Sequence, residues 1–171
     1  SPLPSSAEKT VDRTTKVALY REKSRRLTMS TATAEKLLGG QRTLGHKIQT
    51  DRDRYEVSQN GLPKKVLVHF AANVDLSMRF MAYLLNINER TIQRKKDFDL
   101  LDGTTSEQLL AIAEVYARAA DVLGSLESCQ KWLNTENRAL GNEKPIVMLK
   151  SRFGAQMILD LLGRMEHGIV S

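Results

Sequence analysis

Residues 77–96, SMRFMAYLLNINERTIQRKK, constrain the fold more tightly than any other stretch. Ser77 can cap a helix running to about Leu85, with Leu76 placed to staple against Met81. Asn88 can cap a second, short helix through about Lys96. So close a junction requires a small residue where the helices cross, so that the backbones can approach, and Ala82 supplies it. Four residues on, the turn requires a residue that tolerates positive φ. Glycine is the usual choice and asparagine the next best, so Asn86 fits. Ile92 then buries the second helix, with Met81, Leu85 and Ile87 filling the interior. These are the requirements of a helix-turn-helix.

The second helix carries Asn88, Glu89, Arg90, Thr91, Gln93, Arg94, Lys95 and Lys96. Arg90, Thr91 and Gln93 suit base edges, and Arg94, Lys95 and Lys96 suit phosphates. The helix N-terminus at Asn88 and Glu89 offers free backbone N–H groups to a phosphate. The plainer alternative is an ordinary helix pair with a basic face. The basic excess sits in the first hundred residues, with 12 Lys and Arg against 7 Asp and Glu over 1–60 but 7 against 8 over 104–171; it suits a polyanion partner and, equally, a merely solvated basic arm.

The rest of the chain reads as all-α. Pro63 is a good first-turn residue, and Val66, Leu67, Phe70, Ala71 and Val74 recur at helical spacing. Thr105-Ser106-Glu107-Gln108 resembles a capping box opening a long helix, with an apolar stripe Leu109, Ile112, Ala113, Tyr116, Ala119, Ala120 and Leu123 closed by Gly124. A short helix is expected over 126–133, with Trp132 as the anchor of a C-terminal core, and a turn over 145–149. The last helix places Phe153, Met157, Ile158, Leu161, Leu162 and Met165 on its core side, and Gln156, Asp160, Arg164 and His167 opposite. Asp160 and Arg164 stand in the favourable ion-pair order. Gly39, Gly40 and Gly45 argue for a turn and a short extended segment over 37–50 rather than a helix. Residues 1–36 form a basic arm and a candidate for disorder; 17–27 could make one basic helix, and Met29 is a candidate native start.

Catalysis finds little support. His46, His69 and His167 are scattered, and no HExxH, CxxC, GxSxG or P-loop occurs, so no catalytic residue, metal or cofactor is assigned. The single Cys129 forbids an internal disulfide and reads as a buried filler. With no apolar run near ~18 residues and no hydrophobic stretch in the opening SPLPSSAEKT, a cytoplasmic protein away from membranes is expected.

From about Leu37 onward the chain resembles the Xre/MbcA/ParS antitoxins, most specifically the Xre antitoxins encoded with RES-domain toxins. The stretches carrying the resemblance are LLGG, GLPKKVL, LNINERTIQRKK, CQKWLNTENRALGNEKPIVML and GAQMILDLLGRMEHGIVS. Asn86 stands where the family favours glycine, and Ser106-Glu107-Gln108 where it tends to show a Ser-Asp-Arg-like start. The resemblance implies an Xre-type helix-turn-helix domain over 37–123 and a small helical toxin-binding domain over 124–171. It also implies a type II antitoxin that represses its own operon and neutralises a NAD-degrading RES toxin. Its partners would be that toxin and operator DNA, in a homodimer and a hetero-oligomer with the toxin. A stand-alone helix-turn-helix regulator, or a partition-type adaptor without a toxin, is the alternative. On this resemblance Arg164, His167, Gly168, Ile169, Val170 and Ser171 are expected to reach the mouth of the toxin's active site, the terminal carboxylate standing in for a phosphate. Folding of Ile169 and Val170 onto the chain's own core is the competing expectation.

Overall fold

The computed structural model describes residues 34–168. Residues 1–33 of the basic arm, including its candidate helix at 17–27 and Met29, lie outside them, as do the tail residues Ile169, Val170 and Ser171; the last three residues of the arm are ordered as helix instead. Residues 34–37 are helical. There follow α1 (Gly40–Leu44), α2 (Asp51–Asn60), α3 (Lys64–Asn73), α4 (Met78–Leu85), α5 (Glu89–Arg94), α6 (Gly103–Leu123), α7 (Leu126–Leu133), a 3-10 turn (Arg138–Leu140), α8 (Pro145–Met148) and α9 (Arg152–Glu166). No strand occurs among the described residues, so the all-α expectation holds.

The apolar stripes explain the packing. Leu109, Ile112, Ala113, Val115, Tyr116 and Ala119 line one broad face of α6 and are buried. This helix is the central post, with α2, α7 and α9 laid against it. Phe70 of α3 meets Tyr116 edge to face, with ring centroids 5.6 Å apart. Polar ties fix the remaining elements. The Leu62 amide donates to the buried Ser106 hydroxyl at 2.8 Å, Arg54 pairs with Glu114 at 2.9 Å, and Arg118 pairs with Glu166. Desolvation raises the Glu114 carboxyl above its usual range, and the Arg54 charge only partly opposes this. Burial pushes the Cys129 thiol up to about 12, which leaves it inert and in the filler role expected of it.

Four sequence expectations change. Residues 37–50 contain the expected turn, at 38–39, but 40–44 form a helix. The glycines flank α1 instead of interrupting it, with Gly39 and Gly45 in left-handed backbone at φ 100° and 83° on either side of the helix. The long helix opens one turn before the capping box: Asp102 caps it, accepting from the Thr105 amide, and Ser106 and Gln108 are buried inside. Trp132 is only partly buried, while its neighbour Leu133 is fully so. The ~3–5 kcal/mol of a fully buried indole therefore does not apply to it. Lastly, α9 turns Phe153 and Met157 outward, 86% and 48% exposed. Its core face is Gly154, Ala155, Ile158, Leu161 and Leu162. At 100° per residue Phe153 points well away from the centre of that arc, so spacing alone mis-assigned it. The helix runs on through Gly163 to Glu166, with Leu161 and Leu162 buried beside the glycine and Arg118 holding Glu166 beyond it.

Candidate functional site

The helix-turn-helix forms from α4 and α5. Asn86 ends α4 in left-handed backbone (φ 55°, ψ 37°). The Asn86 amide donates to Tyr83 O at 3.2 Å and the Ile87 amide to Ala82 O at 3.1 Å, and the second bond closes the helix as a Schellman motif does. Ala82, Met81, Leu85 and Ile92 are buried, and Ile87 is partly so. Each residue thus sits where the motif needs it.

The eight residues read as DNA-facing divide into two groups. Arg90, Thr91, Gln93, Arg94 and Lys96 are exposed together around the buried Ile92. The other three already hold local structure. Asn88 caps α5 by accepting from the Arg90 amide at 2.9 Å, and Glu89 accepts from Gln93 Nε2 at 3.3 Å. Lys95 Nζ donates to Leu100 O at 2.9 Å. The helix ends at Arg94 rather than Lys96 because Asp99 captures the Lys96 amide at 2.7 Å. Lys64 Nζ donates to Lys95 O at 2.7 Å, so the end of α5 is tied back to the start of α3.

The second face lies on α9. Phe153, Met157, Asp160, Arg164 and His167 all project to solvent. Their spacing of four, three, four and three residues keeps them on one stripe, about 21 Å long at 1.5 Å per residue. Asp160 accepts from Gln156 Nε2 at 2.9 Å instead of pairing with Arg164. Leu159, Asp160, Gly163, Arg164 and His167 line an open depression at the end of the stripe, beside Gly168 in left-handed backbone at φ 69°. The sequence reading found the polar half of this face and missed its apolar half. Burial of Ala155 and Leu162 on the far side was the available signal.

Among the described residues no group of three His, Cys, Asp or Glu side chains is placed to hold a metal ion, and no helix is long and apolar enough to cross a membrane.

Residues 53–114 match the Antitoxin Xre-like helix-turn-helix domain, and residues 118–168 match the Antitoxin Xre/MbcA/ParS C-terminal toxin-binding domain. The two segments meet inside α6, so one continuous helix serves both. Similar curated proteins include an Antitoxin Xre from Yersinia enterocolitica, 30% identical over 87 residues, covering 50% of this chain and 59% of that protein. An Antitoxin Xre from Photorhabdus laumondii is 34% identical over 67 residues, covering 39% of this chain and 45% of that one. The chain thus spans about half the length of the curated relatives it matches. The chain therefore carries an Xre-like helix-turn-helix domain followed by a segment matching the Xre/MbcA/ParS C-terminal toxin-binding domain.

Proposed function

We propose that this chain is a type II antitoxin that represses its own operon through α4 and α5 and neutralises a NAD-degrading RES-domain toxin through α9. The observation that carries the reading is the presence of two separate exposed faces, one on α5 and one on α9, in a bundle built around α6. A cationic face surrounds Arg90 and Arg94, and a mixed apolar and charged stripe runs from Phe153 to His167. The RES partner is supported by the resemblance of the CQKWLNTENRALGNEKPIVML and GAQMILDLLGRMEHGIVS stretches to antitoxins encoded with such toxins.

In this reading Arg90, Thr91 and Gln93 meet base edges, while Arg94 and Lys96 hold phosphates. Asn88, Glu89 and Lys95 shape the helix that presents them. A pseudo-palindromic operator would be read by a homodimer. On the other face Phe153 and Met157 supply apolar area. Arg164, His167 and Gly168, together with Ile169, Val170 and Ser171 beyond them, extend toward the active-site mouth of the toxin and cover it. No catalytic step is assigned to this chain.

Arg94→Ala tests the DNA half. The variant should bind the promoter upstream of its own gene more weakly at every sequence tried, with a salt slope about 1 shallower, in gel-shift titrations at several salt concentrations. Wild-type affinity and slope in the variant would remove Arg94 from the interface.

A further inference from the structure

Leu149-Lys150-Ser151 joins α8 to α9 inside the segment matching the toxin-binding domain, yet it and Arg152 are clamped to the start of α6 and to the turn of the helix-turn-helix. The buried Gln108 side chain donates to Leu149 O at 2.5 Å. The turn residue Asn86 donates through Nδ2 to Lys150 O at 3.2 Å. Arg152 pairs with Glu107 at 2.6 Å. Three contacts within four residues fix where Lys150 leaves the backbone. Its side chain then crosses onto α4: Nζ stands 4.4 Å from the Tyr83 ring centroid, and Tyr83 stacks on Phe80 at 5.6 Å.

We infer that Lys150 contacts a DNA backbone phosphate beside the recognition helix, a cation that the toxin-binding domain lends to the operator interface. The inference rests on the operator-binding reading above. In a helix-turn-helix the first helix crosses the sugar–phosphate backbone. The solvent face of α4 carries Arg79 and, one turn on, Tyr83, both exposed, and Lys150 lies over the second of these. Arg152 is neutralised by Glu107, but among the described residues no carboxylate lies within ion-pair distance of Lys150. It is exposed and carries a free charge. The tyrosine ring restrains its long side chain in advance, which lowers the ordering cost of meeting a phosphate. A fixed, unneutralised cation next to a basic recognition helix complements a polyanion.

The test uses the full chain and duplex DNA carrying the promoter upstream of its own gene, with affinity measured by fluorescence anisotropy from low to moderate salt. Lys150→Gln should flatten the slope of log K against log salt by about 0.9 and lower affinity several-fold, without moving the melting temperature. Lys150→Arg should restore both, and Tyr83→Leu should weaken binding while keeping the wild-type slope. An unchanged slope in Lys150→Gln, alongside a flattened one in Arg94→Ala, overturns the inference and leaves the operator reading standing. Failure of the wild-type chain to bind the promoter overturns both. Loss of toxin binding in Lys150→Gln with DNA binding intact also overturns it, by assigning the cation to an acidic protein surface.

Discussion

A chain carrying both Phe153→Glu and Met157→Glu is expected to bind its toxin at least about a hundredfold more weakly, a loss of roughly 2.7 kcal/mol. Both side chains are exposed in the free protein and lie one helical turn apart on α9. A phenylalanine that becomes buried at an interface removes on the order of 150 Å² from water, at ~25 cal/mol per Å². Glutamates at the same places add the cost of desolvating two charges. The two positions are outside the core, so circular dichroism melts and operator binding should match the wild type. Calorimetric titration of the toxin against both proteins checks the prediction. Equal affinities would move the toxin seat off this part of α9.

Gly154→Val should lower stability by about 3 kcal/mol, a drop in melting temperature of roughly 6–12 °C for a chain of this size. A Cβ on Gly154 would collide with the Met148 carbonyl oxygen, which is backbone and cannot swing aside. Relief requires α8 and α9 to separate, and that pulls Leu149 O away from the buried Gln108 amide. A buried donor left unpaired adds ~1–3 kcal/mol to the strain. Gly163 is the matched control, because its site is open and sits inside the same helix. Gly163→Ala should raise stability by ~0.5–1 kcal/mol. A Gly154→Val protein melting with the wild type would show that the α8–α9 junction is more yielding than its geometry implies.

Much of this was legible in the sequence because local chemistry and tertiary need agreed. Ser77, Asn86 and Asn88 each have a side chain or backbone preference that serves only the cap or turn in which they stand, so α4, α5 and their junction could be placed to within two residues. Gly124 and Pro145 punctuate α6 and α8 in the same way. The misses occurred where a pattern has two physical solutions. A cluster of glycines can break a helix or flank a short one, and around α1 it does the latter. Thr105 to Gln108 satisfy the capping pattern, but Ser106 and Gln108 are spent on distant backbone at Leu62 and Leu149. No local rule reveals such partners. Phe153 and Met157 have core chemistry at core spacing, and only the neighbours that fill the opposite arc of α9 decide that they face solvent. The geometry of the helix-turn-helix was thus readable from local chemistry, whereas the outward turn of Phe153 and Met157 on α9 emerged only from packing. Lys150 could not be found from sequence at all, since 64 residues separate it from Asn86.

The most direct test of the proposed function purifies the product of the gene beside this one and follows NAD consumption by it alone and with an equimolar amount of the full chain. Neutralisation predicts that NAD is lost rapidly in the first case and persists in the second, with the two proteins eluting as one complex. Equal rates of NAD loss with and without the chain, in samples where it remains folded, would contradict the assignment of this protein as the antitoxin of that product.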